Sequence, residues 1–328
     1  MTGKSLRLGA VLVCCMLFAV CCMLVACATS GTVGTSPVVR SEPQQAPTEG
    51  PIELPTAIGP ISAPGPVEEA LPGGAIDWSG KTVRARGTGV LDPGNSNKEQ
   101  ARLMAERAAT VVAQRNLLEI IKGVRIDSDT RVQSFMTDYD VVYQYVDGIV
   151  KDARLRGPAK YDSIAGTVEV ELECSLYGAG GVESALAPVL APTPPVGDVS
   201  ASSLSPQARE FLRQYSGLVF DAGNTGLKPA LFPKIYDESG NLVLDTREYM
   251  KYTGKPGGYA VQFVGPLAQI LVRPEFAKQP LVLKVREIRG KLGADIVLGR
   301  GDVDKVKWLK DGFKFLMDAG RILVRLSL

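Results

Sequence analysis

Lys81-Thr82-Val83-Arg84-Ala85-Arg86-Gly87-Thr88-Gly89-Val90, then Leu91-Asp92-Pro93-Gly94-Asn95, then Ser96-Asn97-Lys98-Glu99 and onward to Lys122-Gly123: this stretch decides the fold class. Its first ten residues alternate and predict a strand. Residues 91–95 are turn chemistry. Ser96 and Glu99 stand at capping-box spacing, so Ser96 is expected to cap a helix that runs to about Lys122, with Gly123 closing it. Ala101, Met104, Ala105, Ala108, Val111, Val112 and Leu118 fall along one side of that helix, and its alanines predict close packing against a sheet. Arg102 and Glu106, four apart, predict a surface pair. Gly87-Thr88-Gly89 invites a dinucleotide-binding reading. The third glycine stands at 94 rather than 92 and Pro93 occupies the turn, so the glycines are read as making a bend.

Outward from this unit, Val124–Ile126 reads as a short strand, and Val141–Val146 as either helix or strand. Gly148–Arg156 and Ala165–Leu176 read as strands joined around Tyr161-Asp162-Ser163. The order is strand, long helix, then mostly strands, which predicts an α+β domain over 76–178. Gly178 to Pro206 lacks lysine and arginine and contains Ala191-Pro192-Thr193-Pro194-Pro195, so 179–206 is expected to be a linker. A second α+β domain follows over 207–328. A short helix begins at Ser205-Pro206, and strands are expected at Leu218–Asp221, Ala230–Tyr236, Asn241–Asp245, Leu281–Ile288, Asp295–Leu298 and Arg321–Leu326. Asp237-Glu238-Ser239-Gly240 gives the hairpin signal. A helix from Gly301, capped by Asp302, is expected to run through Met317 and end at Gly320. The expectation is two small domains, each a mostly antiparallel sheet with a long helix on one face.

The N-terminus reads as an export signal. Lys4 and Arg7 precede an uncharged, mostly apolar run from Leu8 to Ala26. Such a run suits a transmembrane helix or a signal peptide. Leu24-Val25-Ala26-Cys27 resembles the bacterial lipobox, which implies cleavage after residue 26 and acyl chains on Cys27. Residues 1–26 are then the signal. Residues 27–75, with nine prolines from position 28 on, are a lipidated tether that could reach on the order of 150 Å if fully extended. Ala28, rather than aspartate, favours outer-membrane placement. The resemblance implies a lipid-anchored protein whose membrane partner is held through Cys27.

A second resemblance is carried by Ala101-Arg102-Leu103-Met104-Ala105-Glu106-Arg107-Ala108-Ala109, by Arg115-Asn116-Leu117-Leu118-Glu119, by Gly123-Val124-Arg125-Ile126-Asp127-Ser128-Asp129-Thr130 and by the strand around Val168–Leu172. These residues are similar to the Lpp-twenty outer-membrane lipoprotein family, over roughly a hundred residues. The same domain type opens flagellar assembly protein T and occurs in flagellar basal-disk lipoproteins. The resemblance implies a structural or assembly role, with self-association or envelope proteins as partners, and supplies no catalytic residue.

Chemistry is excluded mainly by composition. The chain has no histidine, which removes Ser-His-Asp and Cys-His nucleophile systems and histidine metal sites. Lys+Arg 37 against Asp+Glu 35 argues against nucleic acid as a partner. Of six cysteines, five lie at or before position 27, leaving Cys174 to be a small buried hydrophobe. Asp127-Ser128-Asp129 looks like a calcium loop but lacks the glycine and glutamate an EF-hand needs. Asp138/Asp140 and Asp237/Glu238 are acidic pairs of unknown separation in space. No enzyme, cofactor or metal is expected. Arg300-Gly301-Asp302 reads as a turn and cap. The last helix sets Lys305, Lys307, Lys310 and Lys314 opposite apolar residues, a solvated lysine face, with Trp308 as a candidate contact residue. Tyr249, Tyr252 and Tyr259 among Gly254, Gly257 and Gly258 suggest an aromatic loop able to contact a glycan or partner. The structural role is the first expectation, and a tethered peptidoglycan- or polysaccharide-binding module is the alternative.

Overall fold

The computed structural model describes residues 67–190, 204–249, 261–271, 273, 276, 279–309, 312–318 and 321–326. The first sheet starts earlier than expected. Glu68–Leu71 (β1) and Gly74–Asp77 (β2) form a hairpin that begins within the stretch assigned to the tether and ends past residue 75, turned at Gly73 with φ +79°. Thr82–Val90 (β3) follows, buried on alternate residues as its pattern predicts. Lys98–Gly123 (α1) is the long helix. Its cap is Asn97, not Ser96: the Asn97 side chain accepts from the Gln100 amide at 3.1 Å. Both residue types suit the position, and the chain enters the helix one residue later.

The buried side of α1 is Ala101, Ala105, Ala109, Ala113, Leu117, Ile120 and Ile121. Met104, Ala108 and Val111 face solvent, so the helix carries two apolar stripes and the expected list had mixed them. The glycines decide which stripe is inward. A Cβ on Gly87 would stand 2.1 Å from the Ala109 carbonyl, and one on Gly89 2.0 Å from the Ala105 carbonyl. These glycines serve backbone-to-backbone approach rather than a bend, and only the four-spaced alanines are small enough to lie on them.

Val132–Asp138 (α2) and Asp140–Lys151 (α3) are helices. The ambiguous 141–146 segment is therefore helical, burying Val142, Val146 and Val150 at four-residue spacing. The expected strand Gly148–Arg156 shrinks to Arg154–Leu155 (β4). Val124–Ile126 makes one isolated bridge, Arg125 to Arg131. Lys160–Asp162 (β5) and Thr167–Ser175 (β6) complete the sheet, antiparallel throughout, in the order β1-β2-β3-β6-β4 with β5 also on β6. Arg102 lies over the Tyr161 ring, 5.6 Å from its centroid. The expected linker contains a helix, Val182–Leu190 (α4), which buries Val182, Ala185 and Leu186.

Pro206–Gln214 (α5) begins as expected, with Ser205 Oγ accepting from the Ala208 amide. Leu218–Gly223 (β7), Lys234–Asp237 (β8), Leu242–Asp245 (β9), Gln262–Val264 (β10), Leu281–Arg289 (β11), Asp295–Leu298 (β12) and Ile322–Leu326 (β13) form a seven-stranded sheet ordered β10-β13-β7-β11-β12-β8-β9. Short helices Leu267–Leu271 (α6), Arg300–Leu309 (α7) and Phe313–Asp318 (α8) join its later strands. Asp302 sits in the first turn of α7, and Gly320 lies outside the described residues.

The fold is α+β, but the second sheet is mixed. β10–β13, β13–β7, β7–β11 and β12–β8 pair parallel, against antiparallel β11–β12 and β8–β9. Pairing direction is not encoded in alternation along one strand, and connections long enough to cross over permit it. Gly59–Leu328 is one compact unit, and a single hydrophobic cluster includes Val83, Leu117 and Val170 of the first sheet with Phe220, Leu283 and Val324 of the second. Trp78, 1% exposed, meets Phe263 edge-on at 5.7 Å between centroids.

Candidate contact surfaces and the joint between the sheets

The loop Asp127–Thr130, which includes the Asp127-Ser128-Asp129 run set aside as a calcium loop, holds the two sheets together. Ser128 is fully buried at the β11–β12 turn. Its hydroxyl donates to the Arg289 carbonyl at 2.5 Å, and its oxygen accepts from the amides of Ala294 at 2.8 Å and Asp295 at 2.6 Å. Its own carbonyl accepts from Leu292. Gly290, at φ +83°, makes room: a Cβ there would lie 2.1 Å from the Ser128 Cβ. Beside it, the Leu231 and Phe232 amides donate to the carbonyls of Arg125 and Ile126.

Charge is concentrated in this joint. Asp127 Oδ1 accepts from the amides of Asp129 and Thr130 and from the Thr130 hydroxyl, while Oδ2 meets Lys234 Nζ at 2.8 Å. Burial pushes the Asp127 carboxyl up, but Lys234 and these donors override it and hold it below the usual range. Lys234 stays above its ordinary value because Asp127 outweighs its burial. Arg247 pairs with Asp245 and stands 3.9 Å from Asp127. Among the described residues Asp295 accepts from the Lys234 amide alone, and burial, with Asp127 and Asp129 nearby, pushes it up to about 6. A second clamp joins Arg125 to both Glu69 carboxylate oxygens and to the Pro229 carbonyl, with the guanidinium over Trp78.

Two of the outward-facing apolar surfaces are built from regular helices. On α1, Met104 is 59% and Val111 47% exposed, with Ala108 between them. Between α5 and α7 lies a groove of about 530 Å³, walled by Phe211, Tyr215, Leu281, Trp308 and Leu309 and edged by Gln207, Glu210, Gln214 and Lys305. Trp308 is 57% exposed there, and the rings of Phe211 and Tyr215 stand 4.9 Å apart.

Trp308 is thus the expected contact residue that gains neighbours of matching chemistry. Phe211 and Tyr215 were missed, although their four-residue spacing on an amphipathic helix was the available signal. Tyr249 ends a 3-10 turn, Thr246–Tyr249, while Tyr252, Tyr259 and Cys27 lie outside the described residues. Cys174 is buried, and that burial pushes its thiol up to about 12, so it stays protonated at neutral pH. Asp138 and Asp140 are exposed. Among the described residues no helix is long and apolar enough to cross a membrane, and no group of acidic or cysteine side chains is placed to hold a metal.

Residues 217–327 match the family model described as Treponema pallidum Tp0624, second domain. The match runs from the start of β7 to the end of β13, about a third of the chain. It includes the joint's Lys234 and Asp295 and the groove's Trp308, and leaves out α5 and the first sheet. No curated protein matches the chain.

Proposed function

We propose that this chain is a non-enzymatic outer-membrane lipoprotein, anchored through acyl chains on Cys27, that serves as a structural or assembly component of the cell envelope by self-association. The observation that carries this reading is the outer face of α1. It sets Met104, Ala108 and Val111 in solvent on a rigid 26-residue helix whose other side is fully engaged with the sheet. Apolar side chains grouped on such a face are stabilised by a partner that removes them from water. The lipobox-like Leu24-Val25-Ala26-Cys27 and the similarity to Lpp-twenty lipoproteins support the habitat. Flagellar membership remains one form this role could take.

The anchor is tested by following the chain through export with labelled fatty acid. Cys27→Ser is expected to accumulate as an uncleaved, unlabelled precursor; normal cleavage of that variant contradicts the lipid anchor.

One observation favours a second reading, a tethered glycan-binding module. Exposed Trp308 beside Tyr215, edged by amide, carboxylate and ammonium groups, offers a stacking face and hydrogen-bonding partners to a sugar ring. On this reading the groove, rather than the 249–259 segment, is the contact. Trp308→Ala would then abolish co-sedimentation with cell-wall sacculi, whereas unchanged sedimentation removes the groove from consideration.

A further inference from the structure

The joint between the sheets buries two carboxylates around one lysine. Asp127 is 2% exposed and Asp295 1%. Lys234 lies against both, its ammonium on Asp127 and its backbone amide on Asp295. The charged and titratable groups facing Asp295 come from each element packed there. The 127–130 loop supplies Asp127 and Asp129. β8 supplies Lys234 and Tyr236. Arg247, from the turn after β9, is paired to Asp245 and reaches Asp127. Arg289, at the end of β11, lies over the Tyr236 ring. Asp127 has the lysine and three other donors committed to it. Asp295 has no comparable compensation, and it shares its backbone with the amide that holds Ser128.

We propose that the joint is an acid-tightened clasp, in which uptake of one proton by Asp295 holds the Asp127–Thr130 loop more firmly against the second sheet. The proton removes a buried negative charge that repels Asp127 and leaves the Lys234 ammonium to Asp127 alone. The backbone bonds at Ser128, Leu231 and Phe232 are the ones that gain.

The sign follows from linkage. A carboxyl that titrates near 6 when folded and near 3.8 when exposed binds its proton first in the closed state. Its contribution is complete below the unfolded value and is lost as pH rises through about 6. Between pH 7 and pH 5 the closed joint should become about tenfold more favoured over the open one.

Amide hydrogen exchange on the full-length chain, corrected for intrinsic rates, reads this directly. Segments 228–233 and 290–296 are expected to become about tenfold better protected on going from pH 7 to pH 5. Asp295→Asn should be well protected at both values, with the dependence gone, while Asp138→Asn on α2 keeps it. Protection that is flat or falls on acidification in the natural chain overturns the proposal, as does an undiminished rise in Asp295→Asn. If the amide variant fails to fold, the Asp295 carboxyl resonance of the natural chain serves instead. A midpoint near 6, shared with the protection change, supports the clasp; a midpoint near an ordinary carboxylate's, about 4, overturns it.

Discussion

Ser128 concentrates the energetics of the joint in one hydroxyl. It satisfies one carbonyl and two amides in a place water does not reach. Removing it leaves those groups without their partner, and each such buried group costs on the order of 1–3 kcal/mol. Ser128→Ala is therefore expected to lower unfolding stability by about 3 kcal/mol or more, read as a shift of the urea midpoint with the slope unchanged. A shift within a few tenths of a kcal/mol, the size usual for a surface change, contradicts this role. None of this was legible at the residue itself. Asp127-Ser128-Asp129 reads as a polar turn because its partners Arg289, Ala294 and Asp295 stand 161, 166 and 167 positions further on. Cys174 was legible, since alternation alone put it on the inward side of a strand.

At the scale of elements, the contact between α1 and β3 rests on the absence of side chains. Gly87 and Gly89 let the helix backbone settle onto the strand, and the alanine column keeps it there. A methyl at Gly89 has to push a carbonyl aside, so Gly89→Ala should cost about 1–3 kcal/mol through overpacking, despite the better strand-forming residue. Thermal unfolding measures it, and an unchanged or higher midpoint contradicts the close approach. Strands with period-two burial, such as β3 and β6, and the hairpin at Asp237–Gly240 were readable because local chemistry dictates them. α3 was half-readable. Its valines at 142, 146 and 150 carry the helical period, but β-branched residues also suit a strand and an internal Gly148 disfavours a helix. α4 was hidden by composition: the proline-rich run after it suggested a linker, while Val182, Ala185 and Leu186 bear its helical spacing. The parallel pairs of the second sheet were illegible for a different reason. A strand's sequence records which face is buried, not which way its neighbour runs.

For the whole molecule, the two sheets are held as one unit by a joint rich in charge and backbone hydrogen bonds. Among the apolar faces left outside are the stripe of α1 and the groove at Trp308. A lipid-anchored population is confined to a surface, which raises the effective concentration of one copy near another. Weak helix-to-helix contacts could then build an assembly. The most direct measurement is the solution mass of Gly59–Leu328, by light scattering on a sizing column across a range of concentrations. A discrete multimer is expected, which Met104→Glu together with Val111→Glu converts to monomer while the fold is retained. A monomer at every concentration, or a multimer indifferent to those two substitutions, would contradict assembly through the outer face of α1.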